Sequence, residues 1–443
     1  MHVGPENWSN QREELKRRVL EILGPFPTEC VDLSPRVVDE VQCQGYVRRK
    51  VLYQTQPGED VPAYLMVPDG LDGPRPVAFC IHPTTKGSGK DRIAGLAGIE
   101  PGTPPDASRS YAHELAQRGY VVLAPDFLTD GERVYPGWEP YHTLPFYEAN
   151  PEWSAVGKNI WDAMRGIDYL QSRPEVAPER IGITGNSGGG TQTSYLMALD
   201  ERIGAAAPSC YLNLLKRQAE NAMGDAEQNI YGQLRWGMEH PDYVMMRAPM
   251  PVKILAATRD FFDINATWVN FRYAKRLYTR LGFSERVDLL ENDAEHNYDK
   301  LQREGAVRWM ARWLLGVDKP IIEPELELLS VEETHCTPKG EVMLLEGARS
   351  VYDLNREYLA ALNAKRAEFL KNSGDAALRA KVREVIGIGE TVPEFQAAVV
   401  GREELDGVHI EKLALSNGLG ITLPAVYLSK GDVSPTSVTL LLH

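Results

Sequence analysis

Between residues 46 and 316, short β-branched runs alternate with amphipathic stretches, and this alternation limits the chain to few architectures. "AYLMVP" (63–68) and "VAFCIH" (77–82) read as strands, "SYAHELAQRG" (110–119) as a helix and "YVVLAPDF" (120–127) as the next strand. "WSAVGKNIWDAMRGIDYLQS" (153–172) is a long helical stretch leading into the strand "RIGITG" (180–185). A helix from Gly188 to about Leu199, the strand "GAAAPSC" and a polar insertion at 211–249 follow. "VKILAATRD", "FRYAKRLYTRLG", "RVDLLEN" and "YDKLQREGAVRWMARWLLG" close the series. Such a series predicts an α/β class: a mostly parallel sheet with helices on both faces.

The flanks are different. Asn10 and Glu13 have capping-box spacing, and Leu15, Val19, Ile22 and Leu23 recur at helical intervals up to Gly24-Pro25. Residues 1–36 are therefore expected to be a helix and lead-in, and 37–318 the main domain. Residues 319–391 break the alternation with proline-punctuated extended segments and a long helical stretch at 351–371, as a linker would.

The end of the chain repeats its beginning. "LKRRVLEILG" (15–24) matches "LRAKVREVIG" (378–387), and "GYVRRKVLY" (45–53) matches "GVHIEKLAL" (407–415). "VPAYLMVPDG" matches "LPAVYLSKGD", and "PVAFCIH" at His82 matches "SVTLLLH" at His443. The offset hardly changes, so residues 392–443 are expected to open a second copy of the same unit. A piece of that size cannot bury its own sheet face, so a homo-oligomer in which a neighbour covers it is one expectation.

The 443 residues carry a formal charge of −14 with no basic cluster, which argues against nucleic acid or an anionic membrane surface as partner. A neutral small-molecule or carbohydrate ester fits that surface. Five scattered cysteines without C-x-x-C, no signal-like h-region and no long apolar run lead to a cytoplasmic expectation.

Within the alternating region, "IGITGNSGGG" (181–190) puts a serine among glycines between a strand and a helix. Average composition produces G-x-S-x-G by chance in roughly one chain of this length in eight, so the context decides. Strand, Gly185-Asn186-Ser187-Gly188-Gly189 and helix form the pattern of a nucleophile elbow, with N–H groups of the helix start beside Ser187. A serine hydroxyl needs a histidine base oriented by a carboxylate. In this architecture the order along the chain is serine, acid, histidine. Asp260, after the strand "KILAATRD", is the expected acid, with Asp263 as rival. His296, in the loop after "RVDLLEN", is the expected base. The oxyanion would lie against the N–H of Gly188 and one from the loop "HPTTKGSGK". Pro83 has no N–H, which leaves Thr84, with Thr85 behind it.

Together, "HPTTKGSGKDR", "RGYVVLAPDFLTDGER", "WSAVGKNIWDAMRGIDYL", "RIGITGNSGGGTQTSYLMALDERI", "ATRDFFDI" and "EHNY" resemble the acetyl xylan esterase-like branch of the α/β-hydrolase superfamily, over roughly residues 40–316. The resemblance implies an α/β-hydrolase fold, Ser187 as nucleophile, Asp260 as acid, His296 as base and an acetylated sugar or other short acyl ester as substrate. It also implies that related chains carry two such units in tandem. Pro83 stands where the common oxyanion pattern has glycine.

Other features are weaker. Asp225, Glu227, His240 and Asp242 fit no compact metal motif, and "GSGK" (87–90) lacks the remainder of a phosphate loop. No metal or organic cofactor is expected. Trp153, Trp161, Trp236, Tyr147 and Phe146 read as core or as the wall of a sugar site. A peptidase of the prolyl oligopeptidase type would share the triad but carries a propeller that has no counterpart here. A non-catalytic ligand-binding module would share only the fold.

Overall fold

The computed structural model describes residues 5–24, 26–85, 87–95, 110–135, 155–221, 230, 232–234, 237–323, 334–389, 394–418, 420–431 and 437–441. The chain divides into two compact units, Met1–Ala360 and Ala361–His443.

The first unit is built on β1 (Arg36–Cys43), β2 (Tyr46–Gln56), β3 (Glu59–Pro68), β4 (Arg75–Ile81), β5 (Val121–Pro125), β6 (Val176–Asn186), β7 (Ile203–Ser209), β8 (Val252–Ala257) and β9 (Val287–Asn292). Their order across the sheet is β1-β2-β3-β5-β4-β6-β7-β8-β9. The first three strands and the β3–β5 pair are antiparallel, and from β5 to β9 every neighbour is parallel.

Side-chain alternation splits the core into two layers. Val51, Tyr53, Phe79, Ile81 and Ile183 face one side, while Leu52, Ala78 and Cys80 face the other. On the first side lie α1 (Pro5–Leu23), α3 (Ala155–Gln171), α4 (Gly188–Leu199), α6 (His240–Met246) and α7 (Ile264–Arg280). The second side is covered by α2 (Tyr111–Gln117) and α8 (Lys300–Leu315). A short α5 (Leu215–Glu220) lies in the polar insertion. Helix α3 illustrates the logic: Ile160, Ala163, Ile167 and Leu170 recur at helical spacing and are buried on the sheet. Each of the Ile and Leu side chains contributes about 2 kcal/mol through burial.

The chain leaves β4 to one side for β5, then returns through α3 to the other side for β6. That reversal opens a crevice at the carboxyl ends of β4 and β6, the standard ligand position in open α/β sheets.

Four buried charges clamp the edge of this crevice to the layers around it. Arg133 reaches Glu59 and Asp162, each at 2.8 Å, and Lys158 pairs with Glu59 at 2.7 Å and also with Asp162. All four are buried, so they survive in the interior only as a mutually paired set.

Several expectations are corrected. Asn10 lies inside α1, which starts with Pro5 at its first position, where a missing N–H costs nothing. The sheet begins at Arg36 rather than near residue 46: β1 is an exposed edge strand without an apolar pattern. The first unit continues past residue 318 to Ala360. Its later residues are fastened to the core, since the Tyr64 hydroxyl donates to the Thr334 carbonyl and Glu132 accepts from the N–H groups of Cys336 and Thr337.

Helix α9 (Val351–Asn372) and α10 (Asp375–Ile386) lead to β10 (Gln396–Leu405), β11 (Val408–Ser416) and β12 (Thr422–Lys430), an antiparallel meander. The register shifts between Val399 and Gly401 in β10, as it does between Val37 and Asp39 in β1. Residues 437–441, expected to match β4, are not a strand. In the first unit β4 is held between two parallel partners, β5 and β6, and the described part of the second unit contains neither.

Candidate active site

Ser187 stands at the end of β6, before the first residue of α4, with φ 58° and ψ −118°. Non-glycine residues avoid this conformation, at a cost of roughly 1–3 kcal/mol. The surroundings enforce it. A Cβ on Gly185 would lie 2.5 Å from the Gly189 carbonyl oxygen, and one on Gly189 would lie 2.3 Å from that of Ile81. Glycine at both positions lets β6, α4 and the end of β4 approach one another, which is what raises the serine out of the sheet. The Ser187 N–H donates to the Ser209 carbonyl at 3.0 Å, and its own carbonyl accepts from Thr191 N–H at 2.8 Å.

Beyond β8, Asp260 turns back toward the loop after β9. His296 Nδ1 lies 2.9 Å from Asp260 Oδ1 and 3.0 Å from Oδ2. The carboxylate side chain is 2% exposed and the imidazole 16%. Phe262 N–H donates to Asp260 Oδ1 at 3.1 Å, and the Phe261 ring stacks on the imidazole at 4.2 Å. Asp263, the rival acid, is occupied otherwise: it caps α7 through the N–H groups of Asn265 and Ala266 and pairs with Arg217 at 2.9 Å.

Sequence spacing does not show how these pieces are joined. Asn186 Nδ2, next to the serine, donates to the Asn297 carbonyl, next to the histidine, at 3.2 Å, and also to Ser209 Oγ at 3.2 Å. Ser209 Oγ donates to Gln302 Oε1 at 2.5 Å, whose Nε2 donates to Asn292 Oδ1 at 3.1 Å. Asn186, Ser209 and Asn292 are the last residues of β6, β7 and β9. A polar residue at the carboxyl end of each strand is the one signal that could have exposed this net.

The loop after β4 is held from the other side. Thr85 N–H donates to Asp130 Oδ2 at 2.7 Å, its hydroxyl donates to Oδ1 at 2.5 Å, and Gly87 N–H donates to Oδ1 at 3.0 Å. The Thr85 N–H is thereby committed to a carboxylate. Thr84 and Gly188 together line a cavity of about 40 Å³. His82 Nδ1 donates to the Pro83 carbonyl at 2.7 Å while Nε2 accepts from Phe127 N–H at 3.1 Å, so both ring nitrogens brace the loop. Lys90, from the rejected phosphate-loop pattern, is buried between Asp126 and Glu132 at 2.6 and 2.5 Å. Burial alone would raise the Glu132 carboxyl, but Lys90 and the donors Cys336 N–H and Thr337 outweigh it and bring it to about 2.

Among the described residues one cluster has metal-ligand types close together, Cys210, Asp260 and His296. Cys210 Sγ donates to the Asn297 carbonyl at 3.2 Å, and burial followed by the Asp260 charge pushes its thiol up to about 12. That favours the neutral thiol over a metal-binding thiolate. His240 and Asp242 are spent on local structure: His240 Nδ1 accepts from Asn213 N–H, and Asp242 completes a capping box with Glu239. Trp161 is buried, donating to the Thr55 carbonyl. Asp225, Glu227, Trp153, Trp236, Tyr147 and Phe146 lie outside the described residues. No helix among the described residues is long and apolar enough to cross a membrane.

Residues 2–262, more than half of the chain, match the profile of the Abhydrolase family. YtaP of Bacillus subtilis (strain 168), whose name places it only among hydrolases, is 29% identical over 202 residues, 45% of this chain and 64% of that protein. The uncharacterized PA2218 of Pseudomonas aeruginosa PAO1 is 28% identical over 195 residues, 42% of this chain and 45% of that protein. The matched part thus spans less than two thirds of either relative. Among solved structures, methylesterase BT1017 superposes with a TM-score of 0.61 at 22% identity, covering 82% of this chain and 78% of that one. A glucuronoyl esterase from Solibacter usitatus superposes at 0.54 with 18% identity, covering 70% and 94%. At these identities the structural likeness is one of fold. The chain belongs to the Abhydrolase family and has the α/β-hydrolase fold.

Proposed function

We propose that this protein is a serine carboxylic-ester hydrolase acting on acylated carbohydrates or other short-chain acyl esters through an acyl-enzyme. The observation that carries the reading is the Asp260–His296 hydrogen bond, taken with the Asn186–Asn297 bond that ties the residue before the strained Ser187 to the residue after His296. Asp260 fixes the imidazole with its proton on Nδ1, which leaves Nε2 to accept the Ser187 hydroxyl proton. Ser187 Oγ attacks the ester carbonyl, and the charge that develops on the carbonyl oxygen is held by the Gly188 N–H and that of Thr84. Each such donor is worth on the order of 3 kcal/mol to the transition state. As the C–O bond breaks, His296 returns the proton to the departing alcohol. Water then gives a proton to His296 and attacks the acyl carbon; the bond to Ser187 Oγ breaks, His296 returns the proton to Oγ and the acid is released.

The esterase names of the fold neighbours support an ester as substrate. The net charge of −14 favours a neutral ester over an anionic one. The test is a burst experiment with p-nitrophenyl acetate, with Ser187→Ala in parallel. A burst or steady release that vanishes in the folded variant is the expected result. Equal inertness of both proteins would overturn the reading.

A further inference from the structure

The cavity that contains Gly188 and Thr84 does not stop at the oxyanion position. Thr191 and Gln192 of α4 also line it, as do Leu128 and Asn159. Gln192 is 9% exposed, and its Oε1 is buried without a hydrogen-bond partner. An unpaired buried amide oxygen is costly, and a ligand that donates to it relieves the cost. Asn159, by contrast, is already used, its Oδ1 accepting from Leu128 N–H at 2.9 Å.

The position of the cavity says which part of an ester enters it. The departing alcohol must lie where His296 can protonate it. The described residues that line this cavity include Gly188 and Thr84, the proposed oxyanion donors, and neither His296 nor Asp260, so we assign it to the acyl side. Its volume of about 40 Å³ has room for about three water-sized groups, the carbonyl oxygen and a short chain. Gln192 sits four residues beyond Gly188, about 6 Å along the helix axis. A hydroxyl on the second carbon of an acyl group reaches about 2.4 Å from the carbonyl carbon, by ordinary bond geometry. An O–H···O bond adds about 2.8 Å, a span of about 5.2 Å that is comparable with this separation.

Resting on the Ser187 acyl-enzyme reading, we propose that Gln192 sets acyl specificity by accepting a hydrogen bond from the substrate, so that the preferred acyl group is a two-carbon hydroxyacyl, hydroxyacetyl above acetyl. Longer unbranched acyl groups are disfavoured by the small volume of the cavity.

The experiment compares phenyl hydroxyacetate, phenyl acetate and phenyl butyrate with the full chain, Gln192→Met and Gln192→Glu, each checked for folding by circular dichroism. The readout is the hydroxyacetate-to-acetate ratio of kcat/KM, because the intrinsic reactivities of the esters cancel between enzymes. The ratio is expected to fall about fivefold in Gln192→Met, the worth of one neutral hydrogen bond. It is expected to persist in Gln192→Glu, which keeps an acceptor, and butyrate is expected to be the poorest substrate of the unaltered protein. Turnover with the ratio unchanged in Gln192→Met would overturn the proposal and leave the acyl-enzyme reading standing. Failure of the folded, unaltered protein to hydrolyse any of the three would overturn both.

Discussion

In β2 and β3, Tyr53 stands opposite Val61, and both are fully buried. In β11 and β12, Leu415 stands opposite Leu423, which is 47% exposed. The two hairpins share their register, and the strand before each has a bulge at the matching place. A glycine with positive φ, Gly45 or Gly407, turns each chain between the first two strands. Local sequence is thus enough to shape strand, bulge and turn in both copies. What it does not supply is the layer that covers them. In the first unit that layer includes β5, which pairs with β3, and α3, which packs its apolar stripe on the sheet. The site depends on the same later elements, since the ends of β6, β8 and β9 carry Ser187, Asp260 and His296. Strand formation is local here, whereas burial and chemistry come from the completed sheet.

Substitutions at matching places sharpen this contrast. The largest effect is expected at Arg133, whose partner Asp162 belongs to α3, a helix without a counterpart among the described residues of the second unit; the residue matching its other partner, Glu59, is Ile421. Arg133→Met leaves two buried carboxylates with Lys158 alone, and denaturant titration should show a loss of about 3–5 kcal/mol. A paired test follows. Val61→Asp buries an unpaired carboxylate and should cost on the order of 3 kcal/mol, while Leu423→Asp, in the exposed copy, should stay within about 0.5 kcal/mol. Equal losses at the two positions would break the comparison.

A third prediction concerns His113, whose Nδ1 bonds the Tyr46 hydroxyl at 2.7 Å; the residue matching Tyr46 is Val408. Burial, followed by the Arg48 charge, lowers the imidazole from 6.5 to about 4. The folded state therefore keeps it neutral while the unfolded chain takes up a proton below pH 6.5. The resulting stability is present above pH 6.5 and is lost as pH falls toward 4, by up to about 3 kcal/mol. Comparing His113→Gln with the unaltered protein at pH 7 and pH 4.5 isolates it: the gap between them should narrow at the lower pH. The smallest effect is expected at Asp130, a positioning residue that holds Thr85 and Gly87. Asp130→Asn should lower kcat about tenfold with little change in KM, because the loop loosens around Thr84, the proposed oxyanion donor.

Much of this was legible in advance, for reasons visible in particular residues. The buried strands β3 and β5 are continuous apolar runs, so length and flanking turns revealed them. β1 escaped because "RVVDEVQC" lies on an exposed edge, where no apolar periodicity is required. Chain order and strand context singled out Ser187, Asp260 and His296, and the geometry separates Asp260 from Asp263 by the bonds each makes. Gln302 and Asp130 were out of reach because their partners lie tens of residues away, where no spacing rule operates. The boundary after residue 318 failed similarly: a proline-punctuated segment looks like a linker until Tyr64 and Glu132 are seen to bind it.

The central claim is that Ser187 is the nucleophile, oriented by the completed first sheet. Its most direct test is peptide mass mapping after exposure to an aryl phosphonate, which traps an activated serine. The account predicts one adduct, on the peptide carrying Ser187, absent in Ser187→Ala and much slower to form in His296→Gln. An adduct on another residue, or none on the folded protein, would contradict it.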